Sequence, residues 1–280
     1  MSNLGTMPAW GVVLLAYVGT GLWSLNVSLT SSKIIPNSDY VGLDQYARLF
    51  STARWITSLE NMLVFGVGYI AGCIALGSLL AVLIDQRVRF ENVFRTIILL
   101  PYALSYIVSG LIWNWMMNPR EGLQAAVRAL GWDGFVFDIA VRPETAIYAV
   151  VLVGVWHSAG LVMVLVLAGL RAVDEDIWKA TRIDGIPAWR TYVSVVLPML
   201  RPTMITCVIL LSMGVVKVYD LVVALTNGGP GISTEVPAKF IMDHLFTRQN
   251  IGLATAGSVV LLVIVALVLI PWIRSEHRKR

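Results

Sequence analysis

Six stretches of this chain, at about residues 9–29, 61–84, 96–117, 145–170, 203–225 and 252–273, are so apolar that few folds remain open to it. Each is long enough to cross roughly 30 Å of hydrocarbon at about 1.5 Å of rise per residue. No water is present there to satisfy a peptide N–H or C=O, so each stretch must bond within itself, which means helix. Composition agrees: 57% of the 280 residues are hydrophobic and 14% charged, against about 25% charged in soluble domains. The expected fold is an all-α membrane protein, one domain over residues 1–280 with six transmembrane helices.

Local signals refine the spans. The first run is too long for a signal-peptide core and lacks a basic flank, so it reads as an uncleaved span. Leu43, Tyr46 and Phe50 then recur at helical spacing and predict a small surface helix. Gly68 and Gly72 have the GxxxG spacing that permits close helix contact. Pro101 lies in the first turns of the third span and favours a kink, and Tyr102, Ser105, Tyr106 and Asn114 give that span polar character. The loop 118–144 is expected to hold a short helix with Leu123, Val127 and Leu130 on one face, ended by Gly131. Trp132, Phe135 and Phe137 follow as interfacial anchors. Cys73 and Cys207 lie inside apolar runs, as buried small hydrophobes without metal-site spacing.

Six spans put both termini on one side of the membrane, and basic residues select the side. One set of segments carries Arg87, Arg89, Arg95, Arg171, Lys179, Arg182, Arg190, Arg201, Arg274, Arg278, Lys279 and Arg280. The other set, longer in total, carries Lys33, Arg48, Arg54, Arg120, Arg128, Arg142, Lys239 and Arg248. The denser set is expected in the cytosol, with both termini and the loop 171–202. Net charge is only +4 and the basic residues are dispersed, which argues against nucleic acid as a partner.

The segment 174–202, DEDIWKATRIDGIPAWRTYVSVVLPMLRP, is the most charged long stretch in the interior of the chain. Asp174, Glu175 and Asp176 precede Lys179 and Arg182, the order that suits a helix with its positive end first. Asp184-Gly185 supplies a C-cap and Pro187 forbids continuation. A second helix is predicted from Pro187, burying Trp189, Tyr192, Val195 and Val196 on one side.

These residues carry a family resemblance. Ala180, Asp184, Gly185, Leu197 and Pro198 fit the cytoplasmic-loop pattern of permease subunits of binding-protein-dependent ABC importers, at that pattern's spacing. VGLDQYARLF after the first span, LPYALS opening the third and LTNGGPG after the fifth resemble the carbohydrate-uptake branch, closest to glucose/mannose-type permeases. Lys179 stands where the pattern has glutamate and Thr181 where it has a second alanine, so a different partner residue is implied at that end. The resemblance implies a coupling helix docking on a cytoplasmic ATPase through Lys179, Ala180, Asp184, Gly185, Ile186 and Pro187. It also implies a second homologous permease, two ATPase subunits and a soluble or lipid-anchored sugar-binding protein, in a prokaryotic cytoplasmic membrane. NGGPG, at 227–231, is read as a turn.

No GxxxxGK[ST] or HExxH run is present, and His157, His244 and His277 are scattered. The chain is therefore expected to be no enzyme and to bind no metal or cofactor, with ATP and Mg on the separate ATPase. Lys217 and Asp220, three apart in the fifth span, are the clear charges inside a span and mark a path or its wall. Mutual neutralisation is the other reading of the pair. Met213, Gly214 and Tyr219 accompany them, and Trp156, His157 and Gly160 lie in the fourth span. An aromatic face with hydrogen-bonding neighbours suits a sugar, although packing explains Trp156 as well. The rival function is a secondary transporter driven by an ion gradient, which predicts a buried proton or sodium site.

Overall fold

The computed structural model describes residues 11–86 and 89–277, with side chains up to residue 267. Arg87, Arg278, Lys279, Arg280, the side chains of Arg274 and His277 and the start of the first span thus lie outside the described residues. In chain order the helices are α1 (Gly11–Ser28), α2 (Asp44–Ser51), α3 (Ala53–Asp85), α4 (Glu91–Ala103), α5 (Tyr106–Met116), α6 (Leu123–Ala129) and α7 (Ala146–Arg171). There follow α8 (Glu175–Ile183), α9 (Ala188–Met199), α10 (Arg201–Val216), α11 (Tyr219–Leu225), α12 (Pro237–Met242) and α13 (Ile251–His277). Among the described residues there is no strand, only an isolated bridge between Thr30 and Tyr40.

Three helices, α1, α3 and α7, are unbroken and apolar enough to cross a membrane. Two bent helix pairs are long and apolar enough only when taken together, α4 with α5 at 98° and α9 with α10 at 71°. α13 adds the apolar stretch Ile251–Leu267. The stretch 96–117, where Pro101 favours a kink, is divided between α4 and α5. Pro101 has no N–H to bond back one turn, Leu104 is extended with ψ 154°, and the Ser105 hydroxyl accepts from the Val108 N–H at 3.2 Å to start α5 afresh. The fifth span is corrected: α10 ends at Val216, and Lys217 and Val218 separate it from α11.

The chain forms two compact units, residues 1–60 with 235–280 and residues 61–234. In the first, Leu49, Trp55, Phe240, Leu253 and Ala256 build the core, with Phe240 edge-on to Trp55 at 5.1 Å. Helix α2 turns Gln45 and Leu49 inward and leaves Leu43 and Phe50 exposed, because Gln45 donates to the Thr30 carbonyl at 3.0 Å. Arg54 joins Glu235 at 2.7 Å and also Asp243, and Lys239 reaches Asp243 at 3.2 Å.

In the second unit α7 is the buried axis. A methyl group on Gly68 would lie 3.0 Å from Val151, on Gly72 2.7 Å from Val155, and on Gly77 2.6 Å from Val162. The GxxxG pair thus marks a real crossing of α3 on α7, with Gly77 extending it. The turn after α11 uses positive φ at Asn227, Gly228 and Gly231, and the Gly229–Pro230 bond is cis.

Candidate functional site

Two places gather the residues singled out above, both in the unit 61–234. The first is the hairpin α8–α9. Asp174 accepts from the Asp176 N–H at 2.9 Å and so caps α8. At the other end Gly185 adopts φ +69°, the Gly185 N–H bonds the Arg182 carbonyl at 3.2 Å, and the Ile186 N–H bonds the Thr181 carbonyl at 3.0 Å. This is a Schellman closure, in which a left-handed residue lets the chain satisfy two free carbonyls and reverse. Pro187 then sits at the start of α9 with ψ 143°, a conformation that cannot extend α8.

The hairpin is tied back to the membrane helices by side chains far apart in sequence. Tyr192 Oη donates to Asp85 Oδ2 at 2.9 Å, at the end of α3, and its ring meets Trp178 edge-on at 5.1 Å. Arg171, ending α7, pairs with Glu91 of α4 at 2.7 Å. Asp85, Glu91, Trp178, Thr181, Ile186 and Tyr192 line the cleft so formed. Of the coupling candidates, Lys179, Ala180, Asp184, Gly185 and Pro187 are exposed and Ile186 is half-buried. The expected burial of Trp189 is overturned: it is 69% exposed, because the inward side of α9 is taken by Thr191, Tyr192, Val195 and Val196. Ile183, 85% exposed, is turned outward beside the same turn. Helical periodicity cannot distinguish an apolar residue held inward from one held outward for a partner.

The second place is a buried polar and aromatic cluster around α7. His157 Nδ1 lies 3.1 Å from Ser109 Oγ, with the Tyr106 ring stacked on the imidazole at 4.2 Å. Tyr69 Oη donates to Ser158 Oγ at 2.8 Å, and a methyl on Gly214 would stand 3.0 Å from that Tyr69 oxygen and 3.6 Å from Tyr106 Oη. Trp156 is edge-on to Trp113 at 5.6 Å, and Asn114 donates to the Leu225 carbonyl at 2.6 Å. His157 and Gly214 therefore come together. Gly160 does not line this cluster but is covered by the Ile98 carbonyl of α4, so it is a packing glycine.

Met213, Lys217 and Asp220 are exposed and Tyr219 half-buried. Lys217 and Val218 form the break between α10 and α11, and among the described residues neither Lys217 nor Asp220 is in an ion pair. Sequence reasoning had missed Tyr69, Ser109, Trp113 and Ser158. A signal was present: Tyr106, Ser109 and Trp113 stand at i, i+3 and i+7 along α5.

Fold and site together define a multi-pass helical membrane protein with an ordered polar hairpin between two apolar segments. The chain belongs to the family of binding-protein-dependent transport system inner membrane components, which matches residues 73–278. It is 33% identical over 259 residues to a protein of Pyrococcus horikoshii named as a probable ABC transporter permease, covering 92% of this chain and 89% of that one. It is 31% identical over 281 residues to the xylose/arabinose import permease of Haloferax volcanii, covering 97% and 88%. In fold it resembles a bacterial ABC transporter involved in import of the acidic polysaccharide alginate, with TM-score 0.82 at 18% identity, covering 99% of this chain and 94% of that one.

Proposed function

We propose that this chain is a permease subunit of an ATP-driven importer of a glucose/mannose-type or another small sugar, and that it contributes six crossings to the translocation path. Its partners are a second homologous permease, two cytoplasmic ATPase subunits and a soluble or lipid-anchored sugar-binding protein, in a prokaryotic cytoplasmic membrane with both termini cytoplasmic. ATP and Mg belong to the ATPase subunits, and no covalent chemistry occurs on this chain.

The observation that carries the proposal is the hairpin. A Schellman-closed turn holds Ile183 and Trp189 out in solvent while Tyr192 and Arg171 fasten its base to α3 and α4. Such an element suits a docking partner on its outer side and passes rigid-body motion to the spans on its inner side. Lys179, Ala180, Asp184, Gly185, Ile186 and Pro187 are its coupling residues, with Ile183 and Trp189 as apolar contacts. For the path, His157, Trp156 and Gly214 combine with Tyr69, Tyr106 and Ser109 to give aromatic faces beside hydroxyl and imidazole groups, the chemistry that holds a sugar. Met213, Lys217, Tyr219 and Asp220 belong to its wall near the break between α10 and α11.

The test is uptake of labelled glucose and mannose by proteoliposomes holding the complete complex. Uptake should need ATP on the ATPase side and the binding protein on the other, and should survive collapse of the ion gradients. Uptake abolished by ionophores and indifferent to ATP would instead establish the ion-driven transporter.

A further inference from the structure

The segment between α5 and α7 exposes apolar surface that neither the hairpin nor the His157 cluster uses. Helix α6 ends at Ala129 and the chain reverses at Gly131, where φ is +99°. Around this turn Leu130 is 88% exposed and Trp132 64% exposed, and Val136 is exposed as well. The tip is nevertheless ordered. Arg128 Nε donates to the Phe135 carbonyl at 2.9 Å, and the Phe137 N–H donates to the buried Gln124 side chain at 2.7 Å. Trp132, Phe135 and Phe137 follow one another with ring centroids 5.3 and 6.3 Å apart. Leu123 and Leu130 are exposed and Val127 half-buried, while Gln124 turns inward. These apolar side chains are held outward by a fixed loop, at a continuing hydration cost that a second apolar phase would remove.

Neighbouring aromatics indicate which phase. Trp115 in the last turn of α5 and Tyr148 in the first turn of α7 are also exposed. Large amphipathic rings therefore gather where two apolar helices meet the loop, the level at which Trp and Tyr are most stable in a bilayer. Helix α7 runs unbroken for 26 residues from this segment to the 171–202 hairpin, so about 39 Å separates them. Charge offers no comparable anchor, since residues 118–144 set three arginines against four carboxylates.

We propose that residues 118–144 form a membrane foot, with Leu130, Trp132 and Val136 seated at the headgroup–acyl boundary of the leaflet opposite the 171–202 hairpin. This rests on the reading that α5 and α7 belong to membrane crossings. The occupant is lipid, bound through apolar and aromatic burial and not through headgroup charge.

Leu130→Cys and Trp132→Cys, each labelled with an environment-sensitive fluorophore, test this in the full complex in phosphatidylethanolamine nanodiscs. Cys73 and Cys207 are buried and stay unlabelled. Emission should be blue-shifted, quenched by lipids carrying doxyl near the headgroup, and nearly insensitive to iodide, with or without the binding protein and with or without phosphatidylglycerol. Free quenching by iodide would overturn the proposal, as would shielding that develops only when the binding protein is added, which would make the foot a protein-docking surface. A label at Leu111→Cys on α5 is the control. Iodide access there removes the membrane reading itself, whereas protection at Leu111 with access at Leu130 removes only the foot.

Discussion

The 171–202 hairpin and the Arg54 cluster both depend on charged side chains, and they use charge in opposite ways. In the hairpin, Lys179 pairs with Asp176 at 2.9 Å while the two side chains remain 62% and 82% exposed. In the cluster, Arg54 pairs with Glu235 at 2.7 Å with only 16% and 3% exposed. Water screens the first pair to little net value, about 0–1 kcal/mol. Burial makes the second costly to break, since a carboxylate buried without its arginine must either stay charged away from water or take up a proton. The carboxyl groups register this. Burial pushes Glu235 up, and Arg54 offsets it only in part. Burial also acts upward on Asp243, but hydrogen bonds from Arg54 and Lys239 outweigh it and hold the group below the usual carboxylate range. Exposed charge stays available to a partner, whereas buried shared charge fastens residues remote in sequence.

The sharpest way to break this comparison is to empty the cluster. Arg54→Met leaves Glu235 buried without its nearest cation, and should cost about 3–5 kcal/mol of stability. A large loss of melting temperature and of folded protein in detergent checks it; a melting temperature like that of the unchanged protein would mean that the cluster is no staple. A smaller effect on folding is expected from Gly185→Val. A branched residue in the left-handed region costs about 1–2 kcal/mol, confined to the hairpin turn. The spans should still insert, while sugar-stimulated ATP hydrolysis and uptake fall together and ATPase subunits dissociate more readily in detergent. Gly185→Asn, which tolerates that backbone, should retain most of both. Undiminished uptake in the valine variant would remove the hairpin from its proposed role. The smallest effect belongs to Lys179→Ala, expected to change stability by less than about 1 kcal/mol. Any loss of uptake it causes should therefore appear as weaker ATPase attachment with the melting temperature unchanged.

Much of the hairpin was legible in the chain because its determinants are local. Asp174 caps within two residues, Gly185 closes onto Arg182 and Thr181, and Pro187 stops what precedes it. The GxxxG glycines were legible for a similar reason, since a missing side chain on one helix face is written into the spacing. The long-range site was not. Nothing near His157 announces Ser109, 48 positions away, or tells that Ser158 receives Tyr69 from 89 positions away. Lys217 and Asp220 drew attention as intramembrane charges, but nothing local announced that the helix breaks between them.

The sequence by itself determined where the apolar helices form and how the hairpin turns. Apolar runs in a medium without water force local backbone bonding, and caps and turns act within a few residues. Only the tertiary structure decided that Pro101 leads to a 98° bend and that Trp189 points out. It also decided that Arg54 finds Glu235 across 181 positions and that Gly160 lies under a carbonyl of α4. Those outcomes depend on which helix faces press together, and side-chain packing across distant segments is settled by volume and hydrogen-bond satisfaction after the helices exist, not by the order of residues within any one of them.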